Sequence, residues 1–127
     1  MKRDIELERK ILFAIEENYK PGEMYLTEDE LLIDDYSMEL IAEHCKLLYQ
    51  QGLIGKYKED LTITGLIGFQ IENLTAKGYD YLEIIRNDDV WEKTKKEVED
   101  KKLPKTIEFL AKIAGIFTGN IINEMNP

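Results

Sequence analysis

Between residues 37 and 82 the hydrophobic period of the chain changes from helical to extended and back, and this order constrains the fold more than any other feature of the sequence. Ser37 opens Met38-Glu-Leu-Ile-Ala-Glu-His-Cys-Lys-Leu-Leu-Tyr-Gln-Gln51, and Gly52 closes it. These are the residue types that cap a helix at its start and follow it at its end. Leu53-Ile54 is at once apolar and extended in pattern. Residues 56–68 hold Gly65 and Gly68 with little periodicity, as a loop does, and Phe69-Gln-Ile-Glu72 alternates as a strand does. Leu74-Thr75 then leads into a Thr-capped helix containing Leu82. Recognition helix, wing, return strand and closing helix is the order of a winged helix. The expectation is therefore an antiparallel pairing of residues 53–57 with 69–74, over a core that includes Leu48, Leu53 and Leu82.

The flanks add helices. In residues 4–18, Leu7, Ile11, Leu12 and Ile15 fall on one stripe with Glu8, Arg9 and Glu16 off it, an amphipathic pattern that Tyr19-Lys-Pro-Gly22 ends. Residues 23–35 read two ways. Thr27 with Glu30 makes a capping box for one helical turn, whereas Leu31-Leu-Ile33 between acidic residues reads as a short strand, and the strand is the expectation. The helix that precedes a recognition helix is thus short or missing. Residues 76–87 read as helix with Tyr79, Leu82 and Ile85 inward, and Asp89 with Glu92 predicts a capping box opening a helix over 90–102. Leu103-Pro104 ends that helix, and Pro104 suits the first turn of a last one reaching about Gly119. The predicted fold is α+β and mostly helical, a winged-helix domain over 1–88 with a two-helix C-terminal extension over 89–127.

These motifs resemble a bacterial and prophage family, the domain of unknown function 2513, short proteins of winged-helix type. The resemblance rests on Met1-Lys-Arg-Asp4 with Ile11-Leu12; on Ser37, Ala42, His44, Leu47-Leu48 and Gly52-Leu-Ile54; on Leu74-Thr75, Gly78, Leu82 and Ile85-Arg86; and on Trp91 with Thr94-Lys95. Glu43 stands where the family tends to carry an aromatic, and Ala76-Lys-Gly-Tyr79 where it tends to have Trp-Glu-Gly-His. The resemblance implies a fold and a bacterial or phage setting. It implies no activity and no catalytic residue.

Composition narrows the function. The 127 residues are 43% hydrophobic and 34% charged, which suits a soluble globular chain able to bury a core unaided. One cysteine, Cys45, fits a reducing compartment, Met1-Lys-Arg-Asp-Ile-Glu6 has charges where a signal peptide is apolar, and no run is long enough to span a membrane. A cytoplasmic protein without membrane attachment is expected. The formal net charge of −9 repels phosphate polyanions unless basic groups gather on one face. On a helical wheel, Leu40, Ile41, His44, Cys45, Leu47 and Leu48 turn inward and Glu39, Glu43, Lys46 and Gln50 outward. Duplex binding draws on Lys and Arg for phosphates and on Arg, Lys, Asn and Gln for base edges. The candidate nucleic-acid contacts are therefore Lys46 and Gln50, with Lys56 and Lys58 on the wing, where Glu59-Asp60 follow directly.

Chemistry has little to stand on. His44 and Cys45 are adjacent on a helix, so their side chains diverge by about 100 degrees and form no nucleophile–base pair. One histidine and one cysteine make no metal site by themselves. Asp34-Asp35, Glu59-Asp60 and Asp88-Asp89 lack any phosphate loop or metal spacing beside them. No enzymatic role, cofactor or metal is expected. Trp91, Tyr79 and Tyr81 lie among acids and read as packing aromatics, while Glu92 with Lys96 and Lys93 with Glu97 suggest an exposed, charge-laced helix. In the last helix the apolar residues spread over roughly 220 degrees, against roughly 100 for a stripe that covers one domain. Ile107, Leu110, Ala111, Ala114, Gly115 and Phe117 are therefore candidates for self-association as a two-fold homodimer, with fold-back onto the first helix as the alternative. The function expected is a non-enzymatic interaction or regulatory protein of a bacterial or phage cytoplasm; the alternative is a duplex-DNA-binding transcriptional regulator.

Overall fold

A computed structural model describes residues 1–125, with side chains described through Gly119. In chain order it has α1 (Ile5–Asn18), β1 (Leu26–Thr27), a 3-10 turn (Glu28–Glu30), α2 (Met38–Gln50), β2 (Tyr57–Thr62), β3 (Gly65–Ile71), α3 (Ala76–Ile85), α4 (Asp88–Asp100) and α5 (Ile107–Met125). Among the described residues this is an α+β fold, mostly helical, with one antiparallel sheet of order β1-β3-β2. The chain forms two compact units, Met1–Tyr79 and a second beginning at Asp80.

In the first unit the stripe of α1 holds as predicted: Leu7, Ile11, Leu12 and Ile15 are fully buried, and the Asp4 carboxylate caps the helix by accepting from the Leu7 N–H at 3.2 Å. The off-stripe residues depart from expectation. Glu8 is fully buried, and Arg9 is 9% exposed with its guanidinium 4.9 Å from the centre of the Phe13 ring. Helix α2 begins where Ser37 accepts from the Leu40 N–H, at 3.3 Å. It ends at Gly52, whose φ of 78° only glycine adopts freely. The Gly52 N–H then donates to the Tyr49 carbonyl and Leu53 N–H to the Leu48 carbonyl, both at 2.9 Å, the two reverse bonds of a Schellman end. Ile41, Ala42, His44, Cys45 and Leu48 are buried, whereas Leu40, expected inward, is 37% exposed and Leu47 half-buried, because both lie on the flank of the stripe.

The sheet corrects two expectations. Leu31-Leu-Ile33 is not a strand: the Thr27–Glu30 capping box forms and sets the 3-10 turn, β1 is Leu26–Thr27, and Leu31 drops into the core as a single fully buried anchor. Residues 56–68 are not a loop either, but most of a hairpin that pairs Tyr57 with Ile71 and closes at Thr62 and Gly65. Part of the expected pairing survives as the bridge between Ile54 and Leu74. The strands stay hidden in the sequence because a register shift after Asp60 leaves Ile67 as an extra residue, which breaks the alternation. The far end of the hairpin is also exposed on both faces, so no polar–apolar alternation is required there.

Helix α3 starts at Thr75, whose hydroxyl donates to the Gly52 carbonyl at 2.6 Å and accepts from the Gly78 N–H at 3.0 Å. Gly78 is buried so tightly that a Cβ built on it would lie 2.2 Å from the Leu53 carbonyl oxygen. Leu82 and Ile85 are fully buried as expected, but Tyr79 is 41% exposed, its hydroxyl donating to Asn73 at 3.1 Å.

In the second unit α4 begins at Asp88 rather than Val90, because Asn87, not Asp89, caps it: the Asn87 side-chain amide oxygen accepts from the Val90 N–H at 3.0 Å. Trp91, Thr94 and Val98 are buried along one line, and α4 packs against α5. Lys102 takes a left-handed φ of 52° as the chain leaves α4. Pro104 lies outside the last helix, which Thr106 caps instead through the Phe109 N–H at 3.1 Å, and that helix runs past Gly119 to Met125. Among the described residues the ion pairs on this unit's surface include Glu92–Lys95, Glu97–Lys101 and Glu99–Lys105, in place of the Glu92–Lys96 and Lys93–Glu97 pairs suggested by spacing. No helix among the described residues is long and apolar enough to cross a membrane.

Candidate functional site

Two buried polar groups lie where α1 meets α2. His44 is fully buried, its Nε2 2.9 Å from the Asp4 backbone N–H and its Nδ1 2.7 Å from the Leu40 carbonyl. The first contact needs a lone pair and the second a proton, so the ring is neutral and protonated at Nδ1. Both nitrogens are thereby committed to the backbone. Cys45 points elsewhere, and burial pushes its thiol pKa up, which disfavours the reactive thiolate. Beside them the Glu8 carboxylate is gripped by Arg3 through two bonds of 2.7 Å and by the Gln51 amide at 3.2 Å. These are internal fastenings of two helices. Among the described residues, no three His, Cys, Asp or Glu side chains converge as metal ligands.

The outward face of α2 is acidic and self-satisfied. Glu39, Glu43 and Gln50 are exposed as predicted, but Lys46 sits between two carboxylates, 3.7 Å from Glu43 and 3.4 Å from Glu59. Glu59 also accepts from the Tyr57 hydroxyl at 2.7 Å, and the Tyr57 ring stacks on Phe69 with centroids 6.0 Å apart. Burial, then this hydrogen bond, pushes the Tyr57 phenol up; the Tyr57 bond, then Lys46, holds Glu59 below the usual carboxylate range. Lys46 is thus neutralised before any phosphate reaches it.

Lys56 and Lys58 are exposed and line a groove of about 650 Å³ formed by residues 19–25, the end of α2 and the base of the hairpin. The sequence reading missed the rest of that lining, Tyr19, Met24, Tyr25 and Tyr49, which come together only when α1, α2 and the sheet assemble. It also missed the hairpin tip, where Leu61, Ile63 and Ile67 are 64%, 105% and 62% exposed. A signal was present: no charged residue occurs between Asp60 and Glu72.

The α5 candidates fall into two groups. Ile107, Leu110, Ala111 and Ala114 are buried within the single chain, on the i, i+3, i+4, i+7 stripe of a helix that packs against α4. Gly115 and Phe117 are half-buried, and the Lys93 ammonium lies 4.7 Å from the centre of the Phe117 ring. Ile116 beside them is 58% exposed.

Comparison with known proteins agrees with the motifs. The family model described as "Hypothetical protein (DUF2513)" matches residues 2–104. An uncharacterized protein of Haemophilus influenzae is 28% identical over 114 residues, covering 90% of this chain and 92% of its own length. No solved structure matches. A match that spans the first unit, with its His44 and Gly78 fastenings, and continues through α4 places the chain in the DUF2513 family.

Proposed function

We propose that the chain is a winged-helix-type interaction protein with no enzymatic role, regulating a protein partner in a bacterial or phage cytoplasm, and that its hairpin rather than α2 makes the contact. The order α2, β2–β3 hairpin, α3 supports the winged-helix reading, with one 3-10 turn where a helix-turn-helix has its first helix. The bacterial relative supports the setting. One contrast carries the reading: Lys46 is held between Glu43 and Glu59, while the hairpin offers Leu61, Ile63 and Ile67 to solvent without a charge among them. Exposed aliphatic side chains gain nothing from phosphates, and they gain much from burial against a protein. A photo-crosslinking side chain at position 63, used in bacterial cell extract, should form protein adducts that one placed at exposed Lys20 does not.

Duplex binding is the second reading, supported by exposed Gln50, Lys56 and Lys58. Mobility shift at low salt with mixed genomic fragments separates the two. Sequence-selective retardation that disappears with Lys56→Ala and Lys58→Ala would favour the DNA reading. For self-association we propose the flank of Gly115, Ile116 and Phe117 instead of the buried four residues. A Cβ at Gly115 meets nothing within 4 Å, which leaves room for a second helix. Light scattering should show a dimer that Ile116→Glu converts to monomer.

A further inference from the structure

The groove at the base of the hairpin leaves large side chains exposed around its rim. Met24, Tyr25 and Tyr49 rim it at 70%, 47% and 43% exposure, and Tyr19 completes its aromatic wall. Large apolar side chains left in water around one concavity have the composition of a recognition patch, where tyrosine supplies contact area at little entropic loss and methionine a flexible, adaptable surface. Lys56 and Lys58 add charge. Alternation along β2 puts both on the face opposite Tyr57 and Glu59, and among the described residues neither is engaged in an ion pair, unlike Lys46. Gln70, the cross-strand partner of Lys58, adds an amide to the lining, and Glu23 and Glu72 add two carboxylates. Lys56 and Lys58 lie together on one face of the hairpin, whereas Glu23 and Glu72 come from separate segments, so the paired cations present the concentrated charge in the lining. A polyphosphate strand needs an uninterrupted basic track, which this groove lacks. At about 650 Å³ it has room for a few consecutive side chains.

We propose that this groove binds a short extended peptide segment of a partner protein, with an acidic side chain facing Lys56 and Lys58 and a neighbouring aromatic or aliphatic side chain among Met24, Tyr25 and Tyr49. The assignment rests on reading the chain as an interaction protein, and it names the chemistry of the partner at a surface other than the hairpin tip. The test titrates the ¹⁵N-labelled full chain with an acetylated, amidated pentapeptide alternating aspartate with phenylalanine. A lysine–phenylalanine counterpart and a thymidylate octamer serve as controls. The acidic peptide should shift the amides of Met24, Tyr25, Lys56 and Lys58 saturably. Lys56→Gln with Lys58→Gln, both exposed and harmless to the fold, should weaken it about tenfold, and Tyr25→Ser should weaken it independently. No saturable shift by about 5 mM overturns the proposal. So does preference for the lysine peptide, and preference for the octamer would assign the groove to single-stranded nucleic acid. A silent groove beside intact protein adducts at position 63 rejects this assignment alone; a working groove without those adducts rejects the hairpin reading alone.

Discussion

The imidazole of His44 connects the start of α1 to the first turn of α2, and its worth lies in what would be stranded without it. His44→Leu fills the space but leaves the Asp4 N–H without its acceptor, so urea denaturation should show a loss of about 1–3 kcal/mol. Ring ¹⁵N shifts should report the Nδ1–H tautomer. The Arg3–Glu8 pair should behave asymmetrically, because the Arg3 side chain keeps 29% exposure and that of Glu8 none. Arg3→Met abandons a carboxylate away from water and should cost about 3 kcal/mol; Glu8→Gln leaves a guanidinium that water can reach and should cost less. Asp4 links the two sites. Burial opposes its ionisation, but bonds from the Tyr36 hydroxyl and the Leu7 N–H outweigh that and hold its pKa below the ordinary value. A carboxyl with a lowered folded pKa contributes stability above its unfolded pKa and loses it as the pH falls through the folded one. Melts from neutral pH to about pH 3 should therefore decline less steeply for Asp4→Asn, which keeps a capping oxygen but cannot ionise. None of this was legible in the α1 periodicity. Glu8 borders the stripe on a helical wheel, and its burial depends on Arg3 and on Gln51 of a distant segment.

Helices with strong caps and one buried stripe were readable from the sequence. Ser37 and Gly52 bracket α2 where local chemistry says they should, and Leu48 is fully buried, so Leu48→Ala should cost about 2–5 kcal/mol. Elements whose form depends on a neighbour were not readable. The β2–β3 hairpin has its period broken at Ile67, and β1 is too short to declare itself. Part of the wide apolar face of α5 is covered by α4, which the sequence hid because α4, with mostly charged residues, conceals its own narrow line of Trp91, Thr94 and Val98. Gly78 shows how one atom can set the distance between a helix and the chain segment packed against it. Gly78→Ala drives a methyl into the Leu53 carbonyl, backbone that cannot swing aside, and should cost at least about 2 kcal/mol by thermal or urea melting.

Across the whole molecule the charge is −9, the one lysine on the outward face of α2 is neutralised by Glu43 and Glu59, and the exposed hairpin tip carries no charge. The natural protein should bind random duplex weakly at physiological salt. Glu39→Lys with Glu43→Lys should give it nonspecific affinity that falls steeply with added salt, since both positions are exposed on α2. Tight binding by the natural chain that is lost on Lys46→Ala would contradict the acidic-face argument. The Thr75 hydroxyl, held between Gly52 and Gly78, has a consequence for how such a molecule can change. Because the Thr75 N–H also reaches the Leu53 carbonyl, at 3.0 Å, the chain leaves α2 and re-enters α3 at nearly one point, and everything between is an excursion from a closed gate. The distal part of that excursion, residues 61–67, contributes no fully buried side chain. Substitutions or insertions there should therefore leave untouched the buried side chains that hold the helices in place, and the melting temperature of a variant with residues 61–67 replaced should stay near that of the natural chain.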